Sequence, residues 1–365
     1  MKGTTIKKVA VVIICAIMAI LVCSCGKKES AGPYAGQELH IYNCGEYTGE
    51  FVLENFEALT GCKVIQDEFE SNEQMYIKIA NGDAYDLIVP SDYMIERLMQ
   101  EDLLQPLDKS KITCMDLISD DCKGLPFDTN NDYCVPYFWG TVGICYDKTK
   151  VSETDLKAEG YNIFLDQKYK GDIYLYDSER DMFMVALKAL GYSMNSSDPD
   201  ELNQAYEWLI KVVQTMEPEI VTDEVIDNMA QGRKALGILY SGDANYVQVE
   251  NEDMGFFLPE TGTNIWCDCM CIPKSAANPE LAHEYINYIS GHDAALDNTI
   301  TVGYCSPNKE VVAEVTGPDG EYSGIDSYFP RSGNPNDEVF SYDPDTRKVM
   351  AELWSKVKIA ASNAQ

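Results

Sequence analysis

Between Leu39 and Met99, short apolar runs alternate with amphipathic stretches, and this alternation constrains the fold more than any other feature of the chain. Leu39 to Asn43 reads as a strand. Glu50 to Thr60 reads as a helix with Val52, Leu53, Phe56 and Leu59 on one stripe and Gly61 as its stop. Lys63 to Phe69 is the next strand. Ser71-Asn72-Glu73-Gln74 has the form of a capping box and opens a helix running to Ala80. Ala84 to Pro90 reads as a buried strand and Tyr93 to Met99 as a helix. Strands that alternate with helices predict an α/β fold with a mainly parallel sheet covered on both faces. Ligands in such sheets bind at the carboxyl ends of strands, where Asn43 to Tyr47 and Ser91 to Tyr93 fall.

The second half repeats the scheme less legibly. Tyr137 to Tyr146 is an extended apolar run, long enough to cross between two lobes. Asp172 to Tyr176 is a strand leading into Asp177-Ser178-Glu179-Arg180-Asp181 and a helix through Leu190, whose acidic start suits the helix dipole. Leu202 to Met216 and Thr222 to Gln231 read as helices. Ala235 to Tyr240 reads as a strand ending in Ser241-Gly242-Asp243. Pro279 to Ser290 and Pro344 to Ile359 read as the last helices. There are no internal repeats.

The N-terminus speaks to the compartment. Lys2, Lys7 and Lys8 precede an apolar run from Val9 to Val22. That run is shorter than the roughly 20 residues of a comfortable membrane span and suits a signal-peptide core. It ends in Val22-Cys23-Ser24-Cys25-Gly26, which resembles a bacterial lipobox. Cys25 is the expected lipidation site, giving a signal peptide of 1–24 and a lipidated polar tether of 25–37. Lipid on one cysteine would hold the body on the outer face of the cytoplasmic membrane. A mature body of about 340 residues exceeds one comfortable core and points to two lobes. The whole chain carries a formal charge of −32, and removal of the leader takes it to about −35. Phosphate would be repelled, so nucleic acid is excluded as an expected partner. Ten cysteines follow Cys25, several inside apolar runs, and they are read as buried free thiols, with one or two bridges (Cys114–Cys122 among them) left open.

Ile265 to Cys271 is the most distinctive short stretch. As a strand it places Trp266, Asp268 and Met270 on one face and Cys267, Cys269 and Cys271 on the other. A large ring beside a carboxylate suits an aliphatic amine: the ring packs its methylenes and the carboxylate pairs its ammonium. An ordinary core strand with an inward Trp is the plainer reading. Enzyme signatures are absent: the three histidines His40, His283 and His292 lie in no triad motif, and there is no phosphate-binding or dinucleotide glycine loop. No cofactor or metal is called for. Carboxylates and aromatics instead gather at strand ends, and 23 tyrosines against 11 phenylalanines suit rings with a wet edge.

Several blocks resemble the spermidine/putrescine-binding proteins of bacterial ABC transporters. They are Tyr42 to Tyr47, Glu70 to Tyr76, Ala84 to Ser91, Pro126-Phe127-Asp128 with Asn131-Asp132-Tyr133, Pro136 to Gly140, Leu190 to Ser193 and Val302 to Asn308. The resemblance spans Leu39 to Ile359. It implies a two-lobed periplasmic-binding-protein-like fold of type II, with 38–142 plus 267–308 as lobe 1 and 143–266 plus 309–365 as lobe 2. It further implies a monomer, not an enzyme, that closes on a polyamine and delivers it to a membrane permease. The ligand-binding positions it implies are Glu46, Tyr47, Ser91, Tyr93, Asp181, Tyr240, Asp243, Trp266, Asp268 and Tyr304. Glu46 and Asp181 also read as helix-start charges, Ser91 as a cap, Asp243 as a turn residue and the tyrosines as packing rings. The chain departs from the pattern at Cys44, where the family has Trp, at Gly45, at Ser178 in an acidic position, and at Phe340 near a glutamine position. A same-fold receptor for another organic cation or a sugar is the alternative, and a lipid-anchored hydrolase is a more distant one.

Overall fold

The computed structural model describes residues 32–364. The leader, Cys25 and the start of the tether lie outside the described residues. The end of the tether is docked: the Tyr34 amide donates to Thr60 O at 2.9 Å, and the Lys63 amide to Gln37 O at 2.9 Å.

The chain runs β1 (Glu38–Cys44), α1 (Val52–Thr60), β2 (Lys63–Phe69), α2 (Asn72–Ala80), β3 (Leu87–Ile88), α3 (Asp92–Gln100) and β4 (Cys134–Asp147). It continues through α4 (Glu153–Glu159), β5 (Ile173–Tyr176), α5 (Glu179–Ala189), α6 (Pro199–Met216), β6 (Glu219–Val221), α7 (Glu224–Ala230), β7 (Leu236–Tyr240), α8 (Ser241–Glu250), β8 (Met254–Phe257) and β9 (Ile265–Cys271). The helices α9 (Pro279–Ile289), α10 (His292–Val302), α11 (Lys309–Val315) and α12 (Pro344–Ala364) complete it. The strand order is β2-β1-β3-β9-β4-β7-β5-β6, with β8 on β4. β1 is parallel to β2 and β3, and β5 is parallel to β6 and β7.

The element that joins the two halves is β4, all 14 of whose residues are buried. From Cys134 to Thr141 it pairs antiparallel with β9. From Val142 to Asp147 it pairs with β7 and β8 instead. One strand therefore belongs to two half-sheets, and a nearly continuous apolar run follows because both of its faces are covered, with Thr141 and the terminal Asp147 as its polar members.

Several local expectations are met with physical cause. The Ser71 cap forms as expected, its hydroxyl accepting from the Gln74 amide, but the Gln74 side chain accepts from the Glu70 amide at 2.8 Å instead of returning to Ser71 N, so the reciprocal half of the capping box is displaced by one residue. Gly61 ends α1 at φ 77°, a left-handed value that glycine takes without strain. The strand read over Ala84 to Pro90 shrinks to Leu87–Ile88, because Asp86 turns its carboxylate to the amides of His40 and Asn278 at 3.0 and 2.6 Å. Helices α4, α8, α10 and α11 have no counterpart in the sequence reading. α8 starts directly behind Tyr240 and carries small and polar residues without a clear apolar stripe. All ten described cysteines are free, Cys114 and Cys122 among them. Cys267, Cys269 and Cys271 turn together into one core cluster with Cys122, Cys134 and Cys305.

Gly140 sits at the crossover of β4. A Cβ there would stand 2.4 Å from Trp266 Cζ2 and 2.6 Å from Ser241 Oγ. Gly140→Ala is expected to cost about 1–3 kcal/mol through overpacking, seen in thermal unfolding as a loss of roughly 2–4 °C per kcal/mol. Gly45→Ala, whose Cβ would meet only Glu68 Oε2 at 3.6 Å, should leave the melting temperature within a degree or so of wild type. Equal melting temperatures for both variants would contradict the packing at the crossover.

Candidate ligand-binding cleft

A cavity of about 550 Å³ lies between the half-sheets, at the carboxyl ends of β1, β5 and β7 and over one face of β9. Tyr47, Ser91, Tyr93, Asp181, Tyr240, Trp266, Asp268 and Tyr304 line it. Glu46 and Asp243 do not. Glu46 is exposed in the turn after β1, at φ 52°, and that turn is what delivers the next residue, Tyr47, to the interior. Asp243 stands behind the wall, where its Oδ1 accepts from the Tyr304 hydroxyl at 3.2 Å.

Two carboxylates face the cavity from opposite half-sheets. Asp268 on β9 accepts from the Tyr47 hydroxyl at 2.7 Å. Asp181 in the first turn of α5 accepts from the Tyr240 hydroxyl at 2.8 Å, and its amide is capped by Ser178 Oγ at 3.3 Å. A row of rings runs from one acid to the other. The Tyr240 and Trp266 centroids lie 6.3 Å apart, Trp266 and Tyr304 5.1 Å, and Tyr304 and Tyr47 5.9 Å, each pair edge to face. Tyr304 reaches its place because α8 has no side chain at Gly242, where a Cβ would lie 1.7 Å from the ring.

The electrostatics are one-sided. Loss of solvent pushes the Asp268 carboxyl up from its ordinary value, and hydrogen bonds from Ser91 and Tyr47 only partly offset this. Asp181 is raised for the same reason, against Ser178, Tyr240 and, more weakly, Arg180. Burial likewise raises Asp243 and Asp92 to about 7 each. Among the described residues none of these four forms an ion pair with Lys or Arg. Of the other acids around the cleft, Asp177 pairs with Lys358 at 2.9 Å and Arg347 holds both Glu73 and Glu179, whereas Glu70 lines the cavity exposed and, among the described residues, without an ion pair.

The model of bacterial extracellular solute-binding proteins matches residues 52–321. The chain belongs to that family. It is 35% identical over 272 residues to the spermidine/putrescine-binding periplasmic protein of Escherichia coli, covering 74% of this chain and 77% of that one. It is 26% identical over 338 residues to a putrescine/cadaverine-binding protein of Pseudomonas aeruginosa, covering 89% and 94%. The solved spermidine/putrescine ABC transporter substrate-binding protein PotD from Streptococcus pneumoniae superposes with a TM-score of 0.78 at 35% identity, covering 89% of this chain and 99% of that one. The two half-sheets are accordingly the two lobes of a type II periplasmic-binding-protein fold. The family is one of extracellular solute-binding proteins, and among the described residues no helix is long and apolar enough to cross a membrane.

Other cleft residues escaped the sequence reading. Asn264 lines the cavity at 2% exposure, and its Oδ1 has no hydrogen-bond partner; Trp266 Nε1 is likewise unpaired. Carrying the alternation of Trp266 and Asp268 back by one step reaches Asn264. Arg180 was visible only as part of a helix start, yet its guanidinium stacks 3.5 Å from the Tyr93 ring centre, with the Phe340 ring 5.3 Å away. Arg347 gave no local signal, because its partner Glu73 is distant in sequence. Cys44 lines the cleft, and burial together with Asp268 holds its thiol up at about 11.

The raised carboxyls fix the sign of a pH effect. Between the ordinary carboxylate range and about 7 the native state holds protons that the unfolded chain has released, so stability falls as pH rises through that window. The lowered carboxyls, such as Asp147 and Asp343, act the other way but below their ordinary value. Ligand-free protein should therefore melt higher at pH 5 than at pH 7.5, and Asp243→Asn should flatten the slope. A profile that rises from pH 5 to 7.5 would contradict these environments.

Proposed function

We propose that this chain is a lipid-anchored extracellular receptor that captures polyamines between its lobes and hands them to an ABC importer. The observation that carries the reading is the pair Asp181 and Asp268. These are two desolvated carboxylates from opposite lobes, each held by a tyrosine hydroxyl, neither ion-paired, joined by a wall of rings. An uncompensated charge away from water is costly. Protonated amines on a flexible aliphatic chain remove that cost at both ends, while Trp266 and Tyr304 cover the methylenes. The names of the E. coli, P. aeruginosa and S. pneumoniae relatives support the same ligand class.

The lobes are taken as 38–142 plus 267–308 and as 143–266 plus 309–365. The change of partners along β4 supports a hinge at Thr141–Val142. Contacts across the cleft mouth support closure: Arg180 on Tyr93, Arg347 on Glu73, and the Tyr342 amide on Glu96 Oε2 at 2.7 Å. A ligand that bridges the lobes shifts the hinge toward the closed form by its differential affinity. Glu46, exposed in its turn and outside the cavity, takes no part in this scheme. Ser91, whose amide and hydroxyl are both bonded to Asn72, fixes the wall beside Asp268.

Calorimetry with putrescine and spermidine tests the reading. Removal of one partner of a desolvated charge pair costs about 2–5 kcal/mol, so Asp268→Asn should weaken binding about thirtyfold or more. Unchanged affinity would remove Asp268 from the site, and absence of any polyamine binding by the wild type would sink the proposal. The anchor is tested separately: Cys25→Ser should abolish fatty-acid labelling and release the protein from the membrane fraction, whereas retention with label would place the lipid elsewhere.

A further inference from the structure

The cysteine face of β9 takes no part in the cleft. Cys267, Cys269 and Cys271 point away from Trp266 and Asp268, into one core with Cys122, Cys134 and Cys305. All six are free thiols, in a chain of an extracellular family, where disulfides form and persist. Strand geometry decides which of them can join. Cys134 on β4 stands directly opposite Cys271 on β9. Two steps along the same ladder Pro136 faces Cys269, but Pro136 has no amide hydrogen and the Cys269 amide turns away to Pro90 O at 3.0 Å. That pair exchanges no backbone bonds. Alternation along an antiparallel ladder makes Cys134 and Cys271 a pair of the same kind, with Cα atoms about 4.5 Å apart and side chains close together. A disulfide spans Cα separations of about 4.4–6.8 Å and Cβ separations of about 3.5–4.5 Å.

The neighbouring combinations fit worse. Cys269 is diagonal to Cys134, a relation that sets side chains about 7–8 Å apart. Cys267 and Cys269 bring their sulfurs to 3.6 Å, yet they sit two residues apart on one strand, where Cα atoms are about 6.6 Å apart and the side chains run parallel. The Cys269 and Cys271 thiols both donate to Cys134 and hold its thiol below the ordinary value, against burial and Asp128, so Cys134 is the sulfur disposed to attack.

We propose that Cys134 and Cys271 are a disulfide site, joined as the exported chain folds, which pins β4 to β9 at their base. The oxidant is an external disulfide. The Cys134 thiolate attacks one of its sulfurs and expels the other as a thiolate. The Cys271 thiolate then attacks the Cys134 sulfur of the mixed disulfide and expels the second. Two protein thiols and one external disulfide thus give one protein disulfide and two external thiols, with two electrons passing to the oxidant. In the folded chain the two cysteines are 1% and 0% exposed, so the exchange precedes closure of the core. The bond closes the long loop from β4 through β8, and the constraint on the unfolded chain grows with loop length. It lies wholly on the Asp268 side of the point where β4 changes partners, so it does not span that crossover.

The experiment unfolds the mature protein in guanidinium with reductant and refolds it either in mixed reduced and oxidised glutathione or in reductant alone. Each product is denatured, alkylated with iodoacetamide and mapped by mass spectrometry. After oxidative refolding Cys134 and Cys271 are expected in one linked peptide pair, with the other eight of the ten described cysteines alkylated. That product should melt several degrees above the reduced one. Cys134→Ser and Cys271→Ala should each abolish both the link and the difference in melting, and should one of them fold poorly, the other reads the same loss. Alkylation of both cysteines after oxidative refolding overturns the inference. So does a link from either of them to a different cysteine, and so do equal melting temperatures for the linked and reduced proteins. None of these readouts depends on the polyamine reading.

Discussion

A carboxylate withdrawn from water and given no cation is unstable in its charged form, and Asp181 and Asp268 are both in that position. The rest of the cleft follows from how the fold tolerates them. Tyrosine hydroxyls supply each with one donor, and Ser91 and Ser178 supply a second donor or a helix cap. These neutral donors soften the desolvation without discharging it. The site is thus poised at a cost that an external cation would relieve, and in the function proposed here that relief links binding to closure.

The two acids stand on different lobes, so the strand that joins the lobes governs their separation. β4 is hydrogen-bonded to β9, which carries Asp268, by one half and to β7, which carries Tyr240, by the other. Gly140 sits where Trp266 and Ser241 press against that strand, so the ring wall and the crossover form one packed unit. A shift at the crossover moves Trp266 and the partner of Asp181 together. The apolar side chains of the strand, each large one worth about 1.5–3 kcal/mol on burial, hold this unit together.

Much of this was legible in the sequence where one physical rule dominated. Strands β1, β2 and β7, helices α1, α2 and α9 and the crossing run of β4 all have strong periodicity or cap chemistry. The two-faced reading of Ile265 to Cys271 is realised, with the cysteines in one core and Trp266 and Asp268 on the cleft. The sequence was silent where structure comes from distant partners. β3 is cut short by the side-chain bonds of Asp86, α8 carries Gly242 because Tyr304 needs the space, and Arg347 finds Glu73 across the mouth. Glu46 shows the opposite failing: its type and place in the motif suit a ligand residue, while its left-handed turn holds it outside the cavity. Asn264 was one alternation step beyond the strand that was read.

The most direct test of the central claim is a crystal structure of the protein grown with putrescine. The account predicts one amine nitrogen within about 3 Å of an Asp181 oxygen and the other within about 3 Å of an Asp268 oxygen, the distance of a charge-assisted hydrogen bond, with the methylenes against Trp266. Putrescine bound with either carboxylate turned away and still unpaired would contradict it.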